Sequence, residues 1–271
     1  MSWPLAANLS MLFADLPMEQ RFHAAAEAGF DGVEIQFPYD LPAATLQHHL
    51  AAAGMPLALI NVPAGDLMTG GPGLSGVPAR QVQFDEAMEL ALEYALVLRP
   101  EKINVLPGRL AEGVSREAAL DTLARNLEKA AAAFADIDVC LVCEAVNRHD
   151  MPGFLLGSSA ELLEMLDRVG HPNLSAQLDL YHLMRMGESL PESIALLEGR
   201  IGHVQFADAP GRGEPGTGNL DFHQAFDALY QHGYRGWLAA EYRPTLPAEQ
   251  SLQWLVQWTA AGTFRLQGRS V

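Results

Sequence analysis

The sequence predicts an α/β protein built as one eight-stranded parallel (β/α)8 barrel. Three observations carry this expectation. Eight short strand-like runs alternate with eight helical ones along the chain, the pattern of a parallel sheet wrapped by its own connections. Apolar runs on both faces mark strands that are covered on both sides. The 271 residues, 49% of them hydrophobic, match the roughly 250 that such a barrel needs and can bury a full core. No linker, compositional break or repeat beyond the βα unit divides the chain, so residues 1–271 are expected to form one domain.

Each element has its own signal. Residues 4–9 read as a short apolar strand that ends near Asn8 and Ser10. A helix follows at 18–28, stopped by Gly29, because glycine accepts the left-handed backbone that closes helices. GVEIQF at 32–37 is the second strand, ended by Pro38, which cannot donate to a sheet. Residues 42–53 are helical with Gly54 as their stop, and 56–62 form a third strand ending at Asn61. The Gly/Pro-rich segment 63–78 has no periodicity and exceeds the usual connection, which suggests a lid or rim. A long helix at 81–98 and a fourth strand at 102–106 come next, with Pro107 and Gly108 as the turn. Ser115 is a plausible cap for a helix over 115–134. The fifth strand, VCLVCEAV at 139–146, is apolar on both faces until Glu144. A helix at 158–169 stops at Gly170, and the sixth strand at 174–180 carries Asp179 near its end. A short helix at 190–197, the seventh strand from Ile201, a helix at 222–231, the strand GWLAAE at 236–241 and a helix at 248–258 complete the order. The tail from about 259 reads as loose.

The chemistry gathers around residues 201–218, IGHVQFADAPGRGEPGTG. Ile201, His203 and Gln205 alternate with Gly202, Val204 and Phe206, the period of a strand. A glycine-rich loop with Asp208, Arg212 and Glu214 follows. In parallel α/β proteins, loops at the carboxyl ends of strands form the active-site rim. A surface turn would account for the polar loop but not for the inward Gln and His. The GxGxxG match at Gly211, Gly213 and Gly216 is discounted, since Pro215 and more glycine stand where a dinucleotide fingerprint needs a helix. Four polar groups lie near the ends of four consecutive strands: Glu144, Asp179, Gln205 and Glu241. In a barrel those ends converge. A buried carboxylate is costly unless paired or bound to metal, and three in one mouth repel without a cation. Oxygen ligands without cysteine favour Mg²⁺ or Mn²⁺ over Zn²⁺. A residue just past its strand, on the surface, explains any one of the four but not all together.

Specific pieces of the sequence then resemble a known family. They are AANLSMLF, FPYD, NVPAGD, EAVNRHDMPGF, QLDLYHLMRM, GHVQFADAPGRGEPGTG and GYRGWLAAEYRP, spread over nearly the whole chain. Together they resemble the hydroxypyruvate isomerase family of the xylose-isomerase-like TIM barrels. In that family a Glu, an Asp, a Gln and a Glu hold a divalent metal, and the two Glu act as the acid/base pair. The resemblance puts the metal on Glu144, Asp179, Gln205 and Glu241, and catalysis on Glu144 and Glu241. Sugar epimerases of the wider group carry a His where this chain has Gln205. A His three residues after the metal-binding Asp and an Arg after strand seven touch substrate in relatives, which matches His182 and Arg212. Asp150, in the NRHD turn, either contacts substrate or shapes the loop. The implied reaction removes a proton α to a carbonyl, passes through an enediolate and needs no organic cofactor. Arg212 would grip the substrate carboxylate with a two-pronged contact, and His182 would polarise the carbonyl.

Other readings stay open beside this one. They are a 2-oxo-tetronate isomerase, a ketose epimerase and a non-catalytic ligand-binding barrel; a DNA-repair endonuclease with a histidine-rich zinc site is opposed by the acidic surface and the lack of clustered histidines. A small 2-oxo acid or sugar-like substrate is expected. Cys140 and Cys143 have redox spacing, but residues three apart on a strand face opposite ways, so both are expected as core filler. His203 is expected to be a hydrogen-bonded core histidine, and His48 and His49 to be solvated. The net charge of −16 repels nucleic acid. No apolar run reaches the roughly 20 residues of a membrane span. Two cysteines and no signal-peptide pattern suggest a reduced, cytoplasmic protein. The sequence leaves a homo-oligomer open.

Overall fold

In a computed structural model that describes residues 3–260, all eight strand-like runs form strands. They are β1 (Leu5–Asn8), β2 (Gly32–Ile35), β3 (Leu57–Asn61), β4 (Lys102–Asn104), β5 (Cys140–Glu144), β6 (Leu174–Asp179), β7 (Ile201–Phe206) and β8 (Leu238–Ala240). They pair in sequence order into a closed barrel, and β8 pairs in parallel with β1 to shut the ring. Most strands are a residue or two shorter than the apolar runs that encode them, because pairing stops before the apolar pattern does.

The helices α1 (Met18–Ala28), α2 (Ala43–Ala53), α3 (Gln81–Leu98), α4 (Arg116–Ala135) and α5 (Ser159–Val169) lie where expected. So do α7 (Leu190–Leu196) and α8 (Phe222–Gln231), which follow one further helix, α6 (Leu180–Arg185). The predicted helix 248–258 is instead two, α9 (Ala248–Ser251) and α10 (Gln253–Ala260), parted at Leu252. Beyond Ala260 the tail expected to be loose lies outside the described residues. Ser115 does cap α4, accepting from Ala118 N at 3.2 Å. No helix among the described residues is long and apolar enough to cross a membrane.

The sequence pattern missed α6, assigning its first residue to β6. The reason is local. Asp179 ends β6 and caps α6 at once, its Oδ1 accepting from Tyr181 N and His182 N at 2.9 and 3.3 Å. An N-cap carboxylate satisfies the free amides of a first turn, so the strand becomes a helix with no intervening loop. The segment 63–78 is more ordered than its composition suggests. It contains a 3-10 turn at Leu67–Thr69, and a second follows at Pro78–Arg80. Asp66 ties the loop together, accepting from Gly73 N and Arg80 Nη1. Arg109 Nη1 adds bonds to the carbonyls of Leu67 and Gly71.

Two cores result. The larger fills the space between sheet and helices. The smaller plugs the floor of the barrel with Ala6, Ala58, Trp237 and Ala239. Gly32 is needed there: a Cβ at this position would lie 2.6 Å from the Trp237 ring. Above the plug the interior turns polar, with Asn8, Glu34, Asn104, Gln177, His203 and Gln205 each at 2% exposure or less. Barrel interiors are more often filled by branched aliphatic side chains, so this polar layer needs its own explanation. Cys143 is buried as expected, but Cys140 is exposed, because it opens β5 at the rim of the floor. His48 is exposed and His49 half-buried, the latter stacked on Phe22 at 6.0 Å between ring centroids.

The floor gives a direct test. Gly32→Ala forces a methyl against the Trp237 ring, and overpacking of this kind costs about 1–3 kcal/mol. Urea unfolding is expected to show that loss, and Trp237→Phe in the same chain to recover part of it. A neutral Gly32→Ala would mean that the ring does not plug the barrel as described.

Candidate active site

The register of the barrel decides which side chains reach its mouth. Glu144 pairs with Gln177, and Asp179 with Gln205. Gln205 pairs with Ala239, and Glu241 follows β8 at once. The four strand-end groups expected from sequence therefore converge on one end of the barrel, at 2–5% exposure. A cavity of about 570 Å³ opens there, lined among others by Glu144, Asp150, His182, Gln205, Arg212 and Glu241. Asp179 lies behind that wall, with its side chain 1% exposed.

The groups divide into two sets joined by one guanidinium. Glu144, Asp179 and His182 each offer a ligand atom within 4.8 Å of the others. Glu241 lies outside that group, held by Arg212 Nη2 at 2.8 Å, Asn8 Nδ2 at 3.0 Å and Gln36 Nε2 at 2.5 Å. Arg212 Nη2 also reaches Asp179 Oδ2 at 3.5 Å. Gln205 is built into the wall: its Oε1 accepts from Gln177 at 2.7 Å and its Nε2 donates to Glu34 at 2.7 Å. Asp150 accepts from Asn147 at 2.9 Å and from the Tyr181 hydroxyl at 2.6 Å.

Arg212 arrives by way of its loop. Its backbone is left-handed, φ 57°, uncommon for a residue with a side chain. Asp208 fastens this loop by accepting from the amides of Ala209, Gly216 and Leu220. At Gly218 a Cβ would lie 2.1 Å from the Ala209 carbonyl, so only glycine allows the crossing. Arg212 then lies over the Tyr181 ring, 5.2 Å from its centroid.

Sequence reasoning missed much of the supporting layer. Glu34 is the largest omission: it is fully buried and accepts from Asn8, Gln205 and His203 at 2.7–2.8 Å. His203 is thus the hydrogen-bonded core histidine that was expected. Gln36, Asn104, Asn147 and Gln177 also escaped notice, and Asn61 was read only as a strand end. A signal existed in LSAQLD, where Ser175, Gln177 and Asp179 recur at the period of a strand. Asn8, Asn61 and Asn104 likewise sit at strand ends.

Burial sets the electrostatics. It pushes the Glu144 carboxyl up to about 8, with the charge of Asp179 adding to the effect. Glu241 is raised well above the ordinary carboxyl range by burial, against the pull of Arg212. Burial lowers His182 to about 4, so the ring is neutral at pH 7. Burial opposes the charge on Arg212, yet Glu241 and Asp179 hold it firmly protonated. The residues fit a divalent cation. Three carboxyl groups share one guanidinium, the donors are oxygens with one imidazole, and two buried oxygens nearby, Gln177 Oε1 and Asn104 Oδ1, have no hydrogen-bond partner.

Comparison with known proteins gives the family and agrees with the barrel fold. A family model described as Xylose isomerase-like TIM barrel matches residues 22–258. Hydroxypyruvate isomerase of Escherichia coli is 40% identical over 250 residues, 92% of this chain and 97% of that protein. 2-Oxo-tetronate isomerase of Pectobacterium atrosepticum is 37% identical over 253 residues, 93% of this chain and 97% of that protein. The crystal structure of an AP endonuclease, family 2, from Brucella melitensis superposes with a TM-score of 0.90 at 36% identity, covering 95% of this chain and 99% of that one.

The Glu144 shift makes a stability prediction for metal-free protein. A carboxyl raised from 4.5 to about 8 keeps its proton longer in the folded state than in the unfolded one. Between those values the folded state binds more protons, so stability falls as pH rises through the window and falls no further above it. The Tm of metal-free protein is expected to drop between pH 5 and pH 8, and Glu144→Gln to flatten the slope. An equally steep slope in that variant would acquit Glu144.

Proposed function

This chain belongs to the xylose isomerase-like TIM barrel family and is an enzyme of the isomerase type, and we propose that it interconverts hydroxypyruvate and 2-hydroxy-3-oxopropanoate. The observation that carries this reading is the pair Glu144 and Glu241: two buried carboxyl groups, both raised, that line one cavity from strands that are not neighbours. A carboxyl raised above its ordinary range can take a proton and return one. In the same reading the chain works as one barrel domain.

Hydroxypyruvate has a carbonyl at C2 and a hydroxymethyl at C3. One glutamate removes a proton from C3, giving a C2–C3 enediolate. The other glutamate delivers a proton to C2, while the C3 hydroxyl proton is lost and the C2 oxygen gains one. The carbonyl has moved by one carbon with no net redox change. In this reading Arg212 grips the carboxylate with its planar fork, His182 donates toward the C2 oxygen, and Asp150 contacts the substrate from the rim beside Tyr181. A divalent ion, Mg²⁺ or Mn²⁺, would be held by Glu144, Asp179, Gln205 and Glu241. When bound it supplies positive charge to the oxygens on which negative charge develops.

A second reading, isomerisation of a four-carbon 2-oxo acid, is favoured by the cavity of about 570 Å³, which leaves room beyond a three-carbon acid, and by the 37% identity to a 2-oxo-tetronate isomerase. Endonuclease activity has less support. The net charge of −16 repels a phosphate backbone, and the group of metal-ligating side chains found among the described residues contains a single histidine.

NMR in deuterated water, with both acids and with Mg²⁺ or Mn²⁺, separates the readings by which substrate turns over. Exhaustive chelation is expected to abolish turnover and either ion to restore it; full activity without metal removes the metal from the proposal. Glu144→Gln and Glu241→Gln are each expected to slow isomerisation roughly 10²–10⁴-fold, as for a lost general base. The variant lacking the first base also stops exchange of the C3 hydrogen, whereas the other still exchanges it. Wild-type turnover in either, with metal bound, makes that glutamate structural. Arg212→Lys is expected to weaken substrate binding by about 1.5–3 kcal/mol, the worth of a charge-assisted hydrogen bond. Unchanged KM and kcat would take Arg212 out of the site.

A further inference from the structure

His182 has two ring nitrogens, and what it does in the cavity depends on which one carries the proton. A metal ligand needs a bare nitrogen facing the acids. A hydrogen-bond donor needs N–H there. Nε2 is the nitrogen that faces the acids, 3.4 Å from Asp179 Oδ2. The ring lies with Glu144 and Asp179 in one group of close ligand atoms, but Nε2 can bind a metal there only if it is bare.

The other nitrogen settles the question through Asn147. This side chain is fully buried in the turn after β5. Its Oδ1 accepts from two backbone amides, His149 N at 3.1 Å and Asp150 N at 2.8 Å. Its Nδ2 lies 2.9 Å from Asp150 Oδ2 and 2.7 Å from His182 Nδ1. Rotating the amide by half a turn would aim NH₂ at two N–H donors and the oxygen at a carboxylate. Every one of those contacts would become repulsive, so the orientation is dictated by chemistry. Nδ2 is thus a donor, and His182 Nδ1 can only accept. The single proton of a neutral imidazole is then on Nε2.

We propose that Asn147 is a positioning residue that locks His182 in its Nε2-protonated neutral tautomer, so that the ring serves as a hydrogen-bond donor in the cavity and not as a metal ligand. The turn is built for this. Asn147 Oδ1 is consumed by the backbone, which leaves its amide hydrogens to reach Asp150 and the ring together. Asp150 is held in turn by the Tyr181 hydroxyl at 2.6 Å, so an exposed carboxylate helps to aim a buried amide. In the isomerase reading, on which the consequence rests, a neutral N–H donor stabilises charge growing on a substrate oxygen without giving up its proton. It also confines metal ligation to oxygen donors.

The tautomer itself can be read without turnover. In nitrogen-15-labelled protein, long-range hydrogen–nitrogen correlation identifies the protonated ring nitrogen, with His182 assigned by its loss in His182→Gln. The expected result is a bare Nδ1 and a protonated Nε2, unchanged when Mg²⁺ is added. A protonated Nδ1, or loss of the Nε2 proton on adding Mg²⁺, overturns the proposal. Asn147→Asp keeps an acceptor for the two backbone amides but cannot donate to the ring. It is expected to move the proton to Nδ1 or to make the ring an imidazolium, and to lower kcat about 10- to 100-fold, the usual effect of losing an outer partner of a site histidine. Asn147→Ser, short of the ring but still an acceptor for the turn, is expected to release the tautomer preference. An unchanged tautomer in both variants would take the control away from Asn147. Should the variants fold poorly, the wild-type spectrum alone still decides. A correct tautomer in a protein inactive on both 2-oxo acids would sink the isomerase reading and leave this one standing.

Discussion

A carboxylate inside a barrel costs several kcal/mol unless its charge and lone pairs are met, and four of the buried carboxylates among the described residues stand on or just past the strands: Glu34, Glu144, Asp179 and Glu241, at 0–5% exposure. How each is satisfied sorts structure from chemistry. Glu34 receives three hydrogen bonds, from Asn8, Gln205 and His203, and has no wall of the cavity to itself. Asp179 is met by two amides of the α6 N-terminus. Glu241 receives Arg212, Asn8 and Gln36. Glu144 has one close donor, Asn104 at 2.7 Å, with Gln177 a weaker one. Glu144, the carboxyl facing the cavity with the fewest close donors, is pushed by burial up to about 8.

The same accounting positions the site. Asn8 bridges Glu34 and Glu241, and Gln205 joins Glu34 to Gln177, so one network spans the barrel interior from β1 to β8. Strands supply this layer, and strands paired on both sides move little. The loops that complete the mouth are tied down by buried or half-buried ions. Asp208 holds the Arg212 loop, and Arg148 clamps the turn after β5 to Glu161 at 2.7 Å. Asp66 with Arg80 holds the long rim segment. Preorganisation of this kind aims donors before any substrate arrives.

Much of this was legible in the sequence, for physical reasons that also mark the limit. Strands and helices leave periods of two and 3.6, and glycines at 29, 54 and 170 end their helices as left-handed caps. Glu144, Asp179 and Glu241 were visible because each interrupts an apolar run at its carboxyl end. Glu34 was not, because an acid within a four-residue strand looks the same whether it faces solvent or a histidine 169 positions away. The double duty of Asp179 as strand end and helix cap was hidden in the same way, since no Gly, Pro, Asn or Ser follows it in LDLYHLM to mark a break. The tautomer of His182 lies further still from sequence. It depends on which way an amide points, and that depends on two backbone amides in another turn.

The choice of partners explains why the site still favours a cation. Most donors to the four carboxylates are amide side chains: Asn8, Gln36, Asn104, Gln177 and Gln205. An amide fills a lone pair but brings no charge. Lysines or arginines in those places would have neutralised the acids and made the layer a set of ion pairs, inert in the way that Arg212 with Glu241 would be on its own. With amides the hydrogen bonding is met and the Coulombic debt remains: Glu144, Asp179 and Glu241 share the one guanidinium of Arg212, and Glu34 has only the imidazole of His203 beside its amide donors. Two responses are open to such a cluster. It can hold protons, which is the direction in which Glu144 and Glu241 are pushed, or it can take up a divalent ion. Both answer the same excess of negative charge at the mouth of the barrel, the first by neutralising a carboxylate and the second by placing a cation among them.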